Sequence, residues 1–171
     1  MKIIKLGSLN ISEDKIVVAD PSYDCGDSGT VLLKKVLSGK YFASIKATNL
    51  KDCGQIVTSL KICHSDYKNS DLNFERYGFI AVDSGQAGFF DKNYFVENQG
   101  GELGDLNSFY GLTCSITMSP KQAGTIHKKG VVSSSGFGDG CYNLFVAKNS
   151  ANKIVSAYIE FISQIELEEF E

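Results

Sequence analysis

Four aspartates stand where a short apolar run gives way to glycine, proline or an aromatic residue. They are Asp20 in ADPSYDCGDSG (19–29), Asp83 and Asp91 in AVDSGQAGFFD (81–91), and Asp139 in SSSGFGDGCYNLFV (133–146). Loops at strand ends place polar groups within reach of a ligand. Carboxylates from separate loops are the oxygen donors that a hard cation such as Mg2+, Mn2+ or Ca2+ requires, and a cation so held activates water against an ester or phosphodiester. If Asp20, Asp83, Asp91 and Asp139 converge, their repulsion demands a counter-charge. The competing reading is local: each aspartate accepts backbone N–H bonds and ties its own turn.

The neighbours of these aspartates extend the candidate set. Pro21 forces an extended or turned backbone after Asp20, and Tyr23 follows it. Gly85 lets the backbone approach a ligand closely, while Phe89 and Phe90 anchor that loop. Ser135, Gly138 and Tyr142 surround Asp139, where Gly-Asp-Gly reads as a tight hairpin turn. The candidate ligand-binding residues are therefore Asp20, Tyr23, Asp83, Gly85, Asp91, Ser135, Gly138, Asp139 and Tyr142. The spacing is not that of an EF-hand, and neither a phosphate-binding GxxxxGK[ST] nor GxGxxG occurs. GxSxG is missing too, and the only histidines, His64 and His127, sit in lysine-rich surroundings that read as exposed, a poor basis for a Ser-His-Asp hydrolase.

The elements that must position these residues read as strands. KYFASIK (40–46) puts Tyr41, Ala43 and Ile45 on one face, and QIVTSLKI (55–62) does the same with Ile56, Thr58, Leu60 and Ile62. IVVA (16–19), GFIAV (78–82), LTCSITM (112–118), YNLFVA (142–147) and KIVSAYIEFI (153–162) continue the strand pattern; in the last, Val155, Ala157, Ile159 and Phe161 alternate with Ser156, Tyr158 and Glu160. DKNYFVENQ (91–99) begins with a capping aspartate and reads as one or two helical turns ended by Gly100-Gly101. GGELGDLNSFYG (100–111) reads as a loop, and the acidic tail EFISQIELEEFE as a strand followed by a frayed end or a short helix. The expectation is a mostly β single domain over residues 1–171, an antiparallel β-sandwich or barrel-like fold with one or two short helices.

Composition narrows the class. At 171 residues, 43 % hydrophobic and 22 % charged, the chain suits one folded domain rather than a disordered or coiled-coil protein. Seventeen basic against 20 acidic residues leave a net charge of −3, and with Arg76 the single arginine, no basic stripe marks a nucleic-acid groove. No apolar run approaches the ~18 residues of a membrane span. Cys25, Cys53, Cys63, Cys114 and Cys141 are an odd set without CxxC spacing, and MKIIKLGSLN lacks a signal-peptide core, which points to reduced thiols and a cytoplasmic setting.

ADPSY after an apolar strand, SGKY about twenty residues on, VDSGQAGFFD in mid-chain and SGFGDGCY near the end together resemble, in order and wording, a bacterial and phage family known as domain of unknown function 4241. The resemblance runs from about Ile16 to Phe161. Where many members look like DPCY and SGWGDG, this chain has Ser22 and Phe137, so no thiol or indole stands at those positions. The resemblance implies importance for Asp20, Tyr23, Asp83, Asp91, Gly138, Asp139 and Tyr142 and assigns them no activity.

Two functions compete. The first is a binding module that recognises a small molecule, such as a nucleotide, or a partner protein such as a toxin or defence component. It is supported by the lack of standard catalytic motifs and by Tyr67, Tyr77, Tyr94 and Tyr110, which read as exposed aromatics of the kind that anchor interfaces. The second is a hydrolase assisted by Mg2+, Mn2+ or Ca2+ at the four aspartates. Sheet edges would also suit a symmetric homodimer.

Overall fold

The computed structural model describes residues 1–169. About 48 % of the chain is strand and 14 % helix, so the fold is mostly β, as expected. The elements run β1 (Lys2–Ile11), β2 (Ile16–Ala19), β3 (Val31–Leu33), β4 (Gly39–Leu50), β5 (Gly54–His64), a 3-10 turn (Ser65–Tyr67), β6 (Phe74–Val82), β7 (Gln86–Asp91), α1 (Lys92–Asn98), α2 (Phe109–Thr117), β8 (Ala123–Ile126), β9 (Gly130–Ser134), β10 (Gly140–Lys148), β11 (Ile154–Glu160) and α3 (Gln164–Glu168). Six strands form one antiparallel sheet in the order β1-β4-β5-β11-β10-β6, and five form a second in the order β3-β2-β7-β9-β8. The two sheets pack as a sandwich and do not close into a barrel. No helix among the described residues is long and apolar enough to cross a membrane.

The alternation read from the sequence decides which faces meet. Tyr41, Ala43 and Ile45 of β4 and Ile56, Leu60 and Ile62 of β5 point inward with Ile16, Val18 and Phe89 of the opposing sheet, forming the main core. β2 and β7 are buried on both faces, because the alternate residues Val17, Ala19 and Phe90 pack outward under the helices. There they meet Phe95 of α1 and Phe109 of α2 in a second core, with the Phe90 ring 5.2 and 5.3 Å from its two partners. The molecule thus has three layers: large sheet, small sheet, helices. Phe90 needs Gly88 and Gly130 beside it, since a Cβ at either would lie 2.4 Å from its ring.

Two expectations about elements change. LTCSITM is not a strand but the body of α2, whose start is fixed by the Ser108 hydroxyl accepting the Gly111 N–H at 3.1 Å. The alternation Leu112, Cys114, Ile116 fits a strand, yet Phe109, Leu112 and Ile116 fit a helical stripe equally well, and the cap decides between them. Gly-Asp-Gly at 138–140 is not a hairpin: β9 pairs with β7 and β8, while β10 pairs with β6 and β11, so the loop crosses from one sheet to the other. The tail does form a short helix, α3, closed by a capping box between Ser163 and Glu166. The frayed end expected at 170–171 lies outside the described residues.

Candidate functional site

Three of the four loop aspartates gather at one end of the sandwich, where the chain crosses between sheets. Asp20 directly follows β2, Asp83 lies in the β6–β7 crossing and Asp139 in the β9–β10 crossing. Asp20 is fully buried and spends its carboxylate on this junction. One oxygen accepts the backbone N–H groups of Asp83 at 2.8 Å and Ser84 at 2.7 Å; the other accepts the Ser22 N–H at 2.7 Å and the Ser84 hydroxyl at 2.6 Å. Four donors saturate it, three of them from residues more than sixty positions away in sequence. Asp20 is therefore a clamp joining the end of β2 to the β6–β7 crossing, and it does more than tie its own turn.

The other crossing locks against the first. The Ser135 N–H donates to the Gly85 carbonyl at 3.0 Å, and a Cβ on Gly85, whose φ is +71°, would lie 3.9 Å from the Gly138 Cα. Buried Ser135 donates its hydroxyl to the Gly138 carbonyl at 2.9 Å, and the Tyr142 hydroxyl donates to the same carbonyl at 2.7 Å and to that of Ser135 at 3.1 Å. Burial, the largest influence, pushes the Tyr142 phenol up. Ser135, Gly138 and Tyr142 thus shape the crossing from within.

What this end presents to solvent is smaller. Tyr23 donates its hydroxyl to the exposed Asp83 carboxylate, and this bond, together with the nearby charges of Asp83, Asp20 and Asp139, raises the phenol to about 12. Asp139 is exposed, and its side chain takes no hydrogen-bond partner among the described residues. Ser84 and Tyr110 belong to this neighbourhood and were not among the candidate ligand-binding residues; Tyr110, read as an exposed interface aromatic, is half-buried. Burial and a hydrogen bond to Cys114 push the Tyr110 phenol up, while its bond to Ser84 pulls it down. Ser84 lies beside Asp83 within AVDSGQAGFFD but was not singled out there, and Tyr110 comes from α2, an element read as loop and strand.

Asp91 does not join them. It ends β7, the strand that Gln86 begins just after Gly85, so it stands at the opposite end of the sandwich. There it caps α1 by accepting the Tyr94 N–H at 3.1 Å and takes the N–H and hydroxyl of Ser12 at 2.7 and 2.6 Å. Burial pushes its carboxyl up, but these bonds and the charge of Lys129 outweigh it and hold Asp91 below the usual carboxylate range. Convergence of all four aspartates is thus corrected, and no group of three or more His, Cys, Asp or Glu among the described residues is placed to hold a metal ion.

Of the two histidines read as exposed, His127 is so and His64 is not. His64 is buried rather than exposed: its Nδ1 accepts the Asp66 N–H at 3.2 Å, which leaves the proton on Nε2, 3.1 Å from the Ser38 carbonyl. Both ring nitrogens are engaged in structure. His127 is exposed and faces the Tyr94 hydroxyl at 3.0 Å. All five cysteines are unbridged.

A second candidate region lies on the outer face of the six-stranded sheet. A groove of about 860 Å³ is lined there by Ile3, Phe42, Phe74 and Tyr158, by Lys5, Lys46, Lys61 and Lys68, and by one carboxylate, Glu160, among others. Its residues are the outward partners of the alternation that built the core: Tyr41, Ala43 and Ile45 point in, so Phe42, Ser44 and Lys46 point out. Phe42 carries the ammonium groups of Lys40 and Lys68 5.1 and 5.6 Å from its ring centre, and Lys61 lies 5.0 Å from that of Phe74. An aromatic at the polar parity of a strand, as in KYFASIK, is the sequence signal that marks this face.

No curated protein and no solved structure matches the chain. The profile of a family described as protein of unknown function (DUF4241) matches residues 9–159, a span that contains all four loop aspartates and most of the groove. By that match, which takes in both sheets, the chain belongs to the DUF4241 family.

Proposed function

We propose that the protein is a binding module that holds a small molecule in the groove on the outer face of its six-stranded sheet. The observation that carries this reading is the groove itself: its volume lies within the ~300 to 1,000 Å³ usual for small-ligand sites, and its lining mixes aromatic and aliphatic surface with a few charged groups. The loop end supports the same reading from the other side, since Asp20, Ser135 and Tyr142 are consumed in joining the crossings. Thermal unfolding against a panel of nucleotides and divalent cations tests it, with two variants alongside. Ser44→Trp fills the groove from an outward-facing position, and Asp83→Asn alters the loop end. A ligand at ~100 times its dissociation constant adds about 2.7 kcal/mol, which for a chain of this size raises the midpoint by roughly 5 to 10 °C. The expected result is a shift with a nucleotide that persists in Asp83→Asn and disappears in Ser44→Trp. A shift with Mg2+, Mn2+ or Ca2+ that vanishes in Asp83→Asn and survives in Ser44→Trp would replace this reading with metal chemistry at the loops.

A further inference from the structure

Within the groove, strand register brings together residues far apart in sequence. Lys5 pairs with Ser44, Ser44 with Lys61, and Lys61 with Tyr158, which sets Lys5, Ser44, Lys61 and Tyr158 in one row across β1, β4, β5 and β11. The adjacent row on the same face is Ile3, Lys46, Ser59 and Glu160. Directly opposed side chains in such rows stand ~4.5 to 5.5 Å apart at Cβ. Ser44 and Ser59 are the short members, so the sheet surface dips at two hydroxyls, with the longer Lys5, Lys46 and Lys61 around the dip. Among the described residues, none of these three lysines forms an ion pair and neither serine hydroxyl has a hydrogen-bond partner. Three ammonium groups and two hydroxyls around a shallow floor are the donor set that a phosphate oxyanion takes, and the aromatic wall of Phe42, Phe74 and Tyr158 continues from it along the groove.

We infer that this hollow binds the phosphate of a phosphorylated small molecule whose flat, less polar body lies along the aromatic wall; the inference rests on the reading of the groove as a ligand site. The charge balance supports it: the lining holds Lys5, Lys46, Lys61 and Lys68 against Glu160 alone, in a chain whose net charge is −3. Lysine cations concentrated on one face of an acidic protein attract an anion that the rest of the surface repels. Glu160, beside Ser59, opposes the anion, so its removal has a sign opposite to that of any lysine in the set.

The test is a titration followed by backbone amide NMR, using inorganic phosphate, adenosine 5′-monophosphate and adenosine as separate probes. Saturable shifts from both phosphates are expected at residues 44, 46, 59 and 61, with the nucleotide tighter than phosphate and extending to residues 42 and 158. Lys61→Gln and Lys46→Gln each weaken nucleotide binding about tenfold, Glu160→Gln strengthens it, and added salt weakens it. Both lysines are partly or fully exposed, so these variants fold, and the Glu160 variant gives an effect that unfolding cannot imitate. If adenosine binds in the groove as well as its monophosphate does, the phosphate assignment falls and the groove reading stands. If no probe shifts the groove, or phosphate shifts every surface lysine alike, the phosphate assignment also falls; when Ser44→Trp in addition leaves every ligand-induced thermal shift intact, the groove reading falls with it.

Discussion

Tyr23 and Asp83 hold their hydrogen bond at the surface, and its first consequence is for the titration of the phenol. The carboxylate accepts the phenolic proton and its charge resists a second negative charge nearby, so Tyr23 rises from 10.0 to about 12. A folded value above the unfolded one means that this contribution to stability is complete below pH ~10 and is lost as the pH climbs through about 12. In Asp83→Asn the largest cause disappears, and the midpoint of Tyr23, followed by the chemical shift of its ring carbon bearing the hydroxyl, should fall back toward 10. A midpoint that stays near 12 in that variant would assign the shift to burial and to the charges of Asp20 and Asp139 instead. Asp20, buried within the same loops, offers two oxygens to four donors, and Asp20→Ala takes the acceptor from three part-buried N–H groups and one hydroxyl, at up to about 1 to 3 kcal/mol each. Its importance was legible in ADPSY, but its partners were not, because Asp83 and Ser84 reach it only after the sheets have packed.

At the scale of elements, α1 and α2 show what local sequence can and cannot decide. Asp91 in DKNYFVENQ was readable as a cap because the signal is contained in four residues: the side chain accepts the N–H three positions on. The start of α2 carries the same signal at Ser108, but it lies inside GGELGDLNSFYG, whose glycines read as loop, and the alternation beyond it imitates a strand. Asp91 does more than cap, since its other oxygen holds Ser12 and so fastens the β1–β2 connection to the start of α1. Removing it in Asp91→Ala should cost roughly 2 to 4 kcal/mol, the sum of a cap and of hydrogen bonds to a charged acceptor. Its folded value lies below the ordinary one, so the stabilisation is present above pH ~4 and fades as the pH falls through the lowered value. Urea midpoints of wild type and Asp91→Ala should therefore lie well apart at pH 7 and draw together toward pH 2. An equal gap at both values would show that packing, not the charge, is what the substitution removes.

Over the whole molecule, the layering separates a closed interior from an open face. The sandwich was legible because alternation in KYFASIK fixes which side of that strand is buried; in QIVTSLKI and KIVSAYIEFI it holds only outside Ile56, Val57 and Thr58 and outside Ile154 to Ala157, where the register shifts and every residue is buried. The groove was not legible: Lys5, Ser44 and Lys61 become neighbours only through the register of three strands, and no spacing along the chain encodes it. The same layering sets the order in which the structure opens. β7 lies in the middle of the small sheet, with the main core on one face and α1 and α2 on the other, and all six of its residues are buried. β1 is an edge strand with half of its residues exposed, and α3 is five residues long and held to the core through Leu167. Amides in β7 can exchange with solvent only when both layers separate, which is global unfolding, whereas those of α3 and the outer half of β1 exchange by fraying. Hydrogen exchange measured at increasing denaturant should therefore give Phe89 and Phe90 an opening free energy equal to that of global unfolding, with a denaturant dependence to match. Residues 164–168 should exchange at much lower free energy and with little denaturant dependence. Exchange of Phe89 and Phe90 as easy as that of β1 would mean that the helical layer detaches on its own and that the second core contributes little to holding the sheets together.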